Sequence, residues 1–200
     1  MLGWLRGRRR ALPLALLVGL ANFGITGVMT VTQFQVVQRG GSALDVGFLT
    51  MAAGLSVLGG AALAGPLVSR LRTGTLIAIG FSWTSLGVTG LAFIHEGTGL
   101  VVLLATTFVG VPSLNAALTG FFFASTPTSM QGRVQAVVGT VAAGIGALAP
   151  LTVGVLLQRF GTTTAYLCSL GPMLAALALG LGARSLREIP RPDRCATLEP

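Results

Sequence analysis

The side chains able to do chemistry in this sequence are few, uncharged and set inside long apolar stretches. Asn22, Thr26, Thr30 and Gln33 follow one another at spacings of four, four and three. At 100° per residue they fall within an arc of about 80°, a single stripe along one helix. Asn115 lies in a later stretch, with Thr119 four residues on, and Gln135 in the next. Amides and hydroxyls can hold a solute by hydrogen bonding, but proton transfer or nucleophilic attack needs an acid–base partner beside them. No apolar stretch contains one. A rhomboid-like protease needs Ser and His in different membrane helices, and an aspartyl type needs two intramembrane Asp; neither set is present. No CxxC, HExxH or carboxylate cluster offers metal ligands. We therefore expect no enzyme, no catalytic residue, no metal and no cofactor. The stripe reads either as hydrogen bonding between helices or as the wall of a solute path, because amides turned to lipid would lack partners.

The elements that must position these groups are segments without charge. Residues 11–38, 46–69, 73–94, 97–132, 134–158 and 160–183 contain no Asp, Glu, Lys, Arg or His. They are 28, 24, 22, 36, 25 and 24 residues long. A hydrocarbon core about 30 Å thick needs roughly 20 apolar residues at 1.5 Å rise. Every segment is long enough. Charged residues make up only 9% of the chain, against about a quarter in soluble domains. The expectation is an all-α integral membrane protein of six transmembrane helices. It has a basic N-terminus (1–10), a helical domain (11–183) and a disordered Arg/Pro-rich tail (184–200).

Sidedness follows from arginine. All thirteen basic residues are Arg, and eleven of them (residues 6, 8, 9, 10, 70, 72, 133, 184, 187, 191 and 194) fall on one side of a six-span layout. Only Arg39 and Arg159 fall on the other. The positive-inside rule then places both termini in the cytoplasm of a multi-pass cell-membrane protein. A net charge of +8 would suit nucleic acid, but that reading fails, since the basic residues sit at helix ends and not on a soluble surface with stacking aromatics, and no nucleic-acid partner is expected. A cleaved signal peptide ending near Ala21 is the rival reading; the apolar run continues to Val37, longer than such a peptide needs. Cys168 and Cys195 read as unpaired thiols, and His95 with Glu96 as an outer turn.

Within the segments, glycine and proline mark contacts and bends. Gly47, Gly54, Ala61 and Gly65 share a face of the second, and Ala136, Gly139, Ala143, Gly146, Pro150 and Gly154 share a face of the fifth. Both faces are expected to press against another helix. Pro112 and Pro150 are expected to kink their helices. Trp83 suits a lipid-facing position, and Phe121, Phe122 and Phe123 an interfacial anchor or the lining of an apolar path.

Two local motifs carry a resemblance. Gly60-Ala61-Ala62-Leu63-Ala64-Gly65-Pro66-Leu67-Val68-Ser69-Arg70 joins the second and third segments, and Pro127-Thr128-Ser129-Met130-Gln131-Gly132-Arg133-Val134 precedes the small-residue helix. With the span count, they resemble the C-terminal six-helix half of a major facilitator superfamily transporter, of the drug, macrolide and siderophore exporter type. Ser69 stands where the family's loop motif carries Asp, a weakening usual in the second half. The resemblance implies two three-helix repeats, with the first, second, fourth and fifth helices lining a central cavity. It implies Asn22, Thr26, Thr30, Gln33, Asn115 and Gln135 as substrate-pathway residues, and Gly65, Pro66, Arg70 and Arg133 as gate and loop-motif residues.

The function so implied is transport, most simply efflux, of small organic molecules by alternating access. One bundle has nothing to rock against, so a second six-helix half or a homodimer partner is implied beside the lipid bilayer and the small-molecule substrate. The alternative is a truncated or non-transporting membrane subunit that stabilises a partner.

Overall fold

The structure, a computed structural model, describes residues 11–71, 73–94, 97–126 and 128–182. The basic N-terminus, Arg72, the His95–Glu96 turn, Pro127 and the tail with Cys195 lie outside the described residues, as do the side chains of Phe121 and Phe122. Among the described residues there is no strand. The helices are α1 (Ala11–Gln38), α2 (Ala43–Arg70), α3 (Thr73–Leu91), α4 (Gly97–Phe108), α5 (Val111–Ser125) and α6 (Gln131–Gly182), with a 3-10 turn at Thr128–Met130 before the last. In hydrocarbon every backbone polar group must be satisfied within the protein, and a helix does this locally.

Each stop has a local cause. After α1 the chain turns at Gly40, whose φ of 79° favours glycine, and Ser42 opens α2 with a capping box. The Ser42 hydroxyl accepts from the Asp45 N–H while the Asp45 carboxylate accepts from the Ser42 N–H. The long fourth segment breaks between α4 and α5, because Pro112, second in α5, has no N–H to continue the ladder. α6 runs through Pro150 with helical dihedral angles; its only departure is Gly161, at φ 83° and ψ 178°.

Five stretches among the described residues are long and apolar enough to cross a membrane: Ala15–Gln38, Ala43–Arg70, Gly74–Leu91, Gly97–Gly120 and Thr128–Leu179. Side-chain register shows that the last one reverses. Gly19 faces Ile145, Asn22 and Thr26 face Gly146, and Gly27 faces Val153, so the first arm of α6 runs parallel to α1. Gly24 faces Met173, Gly27 faces Ser169, and Thr32 meets Tyr166, so the second arm runs antiparallel to α1. The chain therefore turns back at Gly161, and α6 supplies the fifth and sixth segments read from the sequence.

The same reading orders the rest. The Ser56 hydroxyl donates to the Ala105 carbonyl and Gly60 abuts Val109, so α2 and α4 are parallel. Gly80 faces Leu114, Gly87 faces Thr107 and Gly90 faces Leu103, so α3 is antiparallel to α4 and α5. α1 begins and the second arm ends at the same end of the bundle. The described core forms two stacked clusters, one around Leu17, Phe81, Leu114 and Val138, the other around Val28, Leu104, Val153 and Tyr166. Large apolar side chains such as Leu44, Phe48, Leu55 and Leu58 on α2 are exposed, which suits hydrocarbon and would be a liability in water.

Both small-residue faces depart from the expectation. Gly47, Gly54, Ala61 and Gly65 are exposed, and a Cβ on any of the three glycines would meet nothing within 4 Å. α2 instead packs through Leu49, Ala53, Ser56, Gly60 and Ala64, about 125° round the helix. On α6, Ala136, Gly139, Ala143 and Pro150 are exposed, and only Gly146 touches a neighbour closely. Here the packed face is the Val134, Val138, Ala142, Ala149, Val153 row, about 110° away. On α6 a row rich in valine took the contacts within the chain, while on α2 a second row of small residues did, and in both the expected small-residue face was left outward.

A polar groove between the first helix and the first arm of the last

Opposite its most buried face, α1 carries the polar stripe. Val28, Val31, Thr32 and Gln35 point into the bundle, while Asn22, Thr26, Thr30 and Gln33 are half-buried on the far side. Gly146 allows the first arm of α6 to come against this stripe: a Cβ there would lie 3.4 Å from Asn22 Cβ and 3.7 Å from Thr26 Oγ1. Beside that contact the two helices diverge and leave a groove of about 380 Å³. Asn22 and Thr26 line it from α1, Gln135, Gly139 and Ala143 from α6. The exposed small residues of α6 thus form one wall, and their lack of side chains makes the room.

Three of the six expected pathway residues, Asn22, Thr26 and Gln135, come together in this groove. Thr30 lies one turn further along α1, its hydroxyl donating to the Thr26 carbonyl at 2.8 Å. Gln33 continues the same face beyond the groove, and Asn115 is exposed on α5, also outside it. Among the described residues, the amides of Asn22, Gln33, Asn115 and Gln135 make no hydrogen bond within the chain. An amide without a partner in an apolar setting costs on the order of 1–3 kcal/mol, so these groups call for a ligand, water or another chain.

The gate and loop-motif residues share one end of the bundle. Gly65 and Pro66 are exposed in the last turns of α2, where the Ser69 hydroxyl donates to the Pro66 carbonyl at 3.0 Å, and Arg70 ends the helix. Arg133 is exposed in the first turn of α6. Both arginines stand at the end that holds the start of α1 and the end of α6, and Arg39 and Arg159 stand at the other. At that other end a second cavity of about 570 Å³ lies between α1, α2 and α4, bordered by Gln35, Arg39, Asp45, Phe48 and Leu100.

Some polar groups escaped the sequence reading because they lie off the stripe. Tyr166, fully buried on the second arm, donates its hydroxyl to Gln35 Oε1 at 3.0 Å and sits 2.9 Å from Thr32 Oγ1. This knot ties α1 to the second arm. The spacing of three between Thr32 and Gln35 was its only trace in the sequence. Gln131 holds the turn before α6, donating from Nε2 to the Phe123 and Thr126 carbonyls at 3.1 and 3.3 Å. Among the described residues no group of His, Cys, Asp or Glu is arranged to hold a metal ion.

No family model matches the sequence, and no curated protein matches it. Solved structures do share its fold. The chain aligns with a mutant of the peptide transporter POT crystallised with sulfate, at a TM-score of 0.74 and 18% identity, over 88% of this chain and 38% of that one. It aligns with the same transporter crystallised with alafosfalin at a TM-score of 0.73 and 18% identity, with the same coverage. Those proteins have the major facilitator type of fold, and this all-α chain has that fold over little more than a third of their length.

Proposed function

We propose that this chain is half of a membrane permease that moves small, amphipathic organic molecules out of the cell. The observation that carries the reading is the open groove between α1 and the first arm of α6, with the amides of Asn22 and Gln135 unpaired inside it. A neutral, hydrogen-bonding wall beside apolar residues such as Val18 and Val138 suits a solute with both polar and apolar parts. The groove is a half-site. Its open side, and the share of the POT structures that the chain leaves uncovered, favour a second six-helix bundle across from it. Alternating access would then rock the two bundles about the groove, with Asn115 on α5 and the Arg70 and Arg133 end contributing to the path and its gate. The groove contains no carboxylate, so a proton-coupled cycle would take its carboxylate from the partner. This favours a separate second half over a second copy of the same chain. The arginine asymmetry supports cytoplasmic termini in a cell membrane.

A second reading, a non-transporting subunit that stabilises a membrane partner, is favoured by the outward small-residue faces of α2 and α6, which admit close helix approach. One experiment separates them. Efflux of ethidium is followed from cells that make this chain with and without a co-expressed six-span partner. Asn22→Leu with Asn115→Leu is expected to abolish efflux while the protein stays in the membrane. Full activity in the double variant would reject the groove as the path, and no dye movement under either condition would leave the stabilising subunit as the function.

A further inference from the structure

The break between α4 and α5 lies near the middle of an apolar span, and a broken ladder in hydrocarbon leaves carbonyls without donors. Pro112 has no N–H for the carbonyl of Phe108. The Val109 N–H, which would serve Ala105 in a continuous helix, turns back to Thr106 O at 3.4 Å. Two side chains from two other helices meet the exposed carbonyls. The Ser56 hydroxyl on α2 donates to Ala105 O, and the Trp83 indole Nε1 on α3 donates to Thr106 O at 2.8 Å. Trp83 stands in the middle of α3, away from the bilayer interfaces where tryptophan usually places its N–H. It is half-exposed beside a groove of about 200 Å³ formed with Leu86, Leu103 and Thr107. At that depth the indole N–H lacks another partner in lipid, and the carbonyl has besides it only the long bond from the Val109 N–H.

Glycines bring the donors into range. Gly60 lies against the Val109 carbonyl, Gly87 against Thr107, and a Cβ on Gly110 would be 3.7 Å from Trp83 Cδ1. The packing on both flanks of the break is therefore arranged around these two bonds.

We propose that Ser56 and Trp83 are positioning residues of the α4–α5 joint: by capping adjacent carbonyls from opposite flanks, they fix the angle at which α5 leaves α4. The importance of that angle for Asn115 rests on the permease reading above; the joint itself does not. Loss of Ser56 strips the Ala105 carbonyl of its donor, and loss of Trp83 leaves the Thr106 carbonyl with only the 3.4 Å bond from the Val109 N–H; the joint relieves either by rearranging. The angle then spreads over several values.

The test uses the full chain in lipid nanodiscs with Cys168→Ser and Cys195→Ser. Spin labels replace the exposed residues Val102 on α4 and Phe123 on α5, about 30 Å apart along the span by helical rise. Pulsed electron paramagnetic resonance reads the distance distribution. Trp83→Phe and Ser56→Ala are each expected to broaden it about twofold, whereas Ser56→Thr, which keeps the hydroxyl, retains the parent distribution. Unchanged widths in both Trp83→Phe and Ser56→Ala would overturn the proposal, even if thermal stability fell, because packing alone would then account for these residues. Should Trp83→Phe fail to fold, the Ser56→Ala and Ser56→Thr pair decides: broadening in both or in neither rejects it. Ethidium efflux plays no part in this measurement, so the joint can fail while the permease reading stands, and the reverse.

Discussion

Gly60→Ala tests how tightly α2 is set against the α4–α5 break. A Cβ at Gly60 would fall 2.1 Å from the Val109 carbonyl oxygen, 2.9 Å from its carbon and 3.2 Å from Pro112 Cδ. The first two atoms are backbone and the third belongs to a ring bonded into it, so no change of rotamer relieves the overlap. α2 must move off by about an ångström, at a cost of ~1–3 kcal/mol for overpacking. The movement also weakens the bond from Ser56, one turn earlier, worth about 1 kcal/mol more. Gly54 on the same helix is the control, since its Cβ would meet nothing within 4 Å. There alanine should gain up to about 0.8–1.0 kcal/mol from helix propensity alone. The assay is the unfolding midpoint of the full chain in one detergent–lipid mixture. Gly60→Ala should fall below the parent by ~2–4 kcal/mol, with Gly54→Ala at or above it. A Gly60→Ala protein as stable as the parent, or equal losses in the two variants, would refute the packing argument.

Two further substitutions probe the ties of α6 to the bundle. Tyr166→Phe removes the donor to Gln35 Oε1, a group 2% exposed, and should cost on the order of 1–3 kcal/mol in the same unfolding assay; no loss would mean the knot is idle. Gly161→Ala meets open space, so its cost is that of the backbone alone, roughly 1–3 kcal/mol for a side chain held at φ 83° and ψ 178°. Equal stability of the alanine and glycine forms would show that the reversal does not depend on that conformation.

The sequence made the spans legible because charge in hydrocarbon is expensive, and Arg39, Arg70, Arg133 and Arg159 punctuate the chain where helices end. Pro112 announced the break in the fourth segment for an equally local reason. The polar stripe of α1 was legible as a face, and so was the place of Trp83 at the surface. Harder to see was which face of α2 and α6 would be packed. Small residues permit close approach but do not compel it: α2 carries two small-residue rows and packs through only one, and on α6 a valine-rich row took the contacts. Gln35 and Tyr166 were hidden because their pairing joins residues 131 positions apart, a distance over which periodicity carries no information. Ser56 and Trp83 were hidden likewise: nothing in either residue's neighbourhood says that a carbonyl on another helix will need a donor.

The first helix is clasped by both arms of the last, and this bears on how the protein is made. Gly19, Gly24 and Gly27 receive Ile145, Met173 and Ser169, all of which emerge from the ribosome more than a hundred residues after α1. At 5–20 residues per second that interval is on the order of ten seconds, during which α1 waits in the bilayer with its glycine seats empty. Assembly of this bundle therefore waits for both arms of α6, and a ribosome that stops before the second leaves α1 without Ser169 and Met173 in the seats at Gly24 and Gly27.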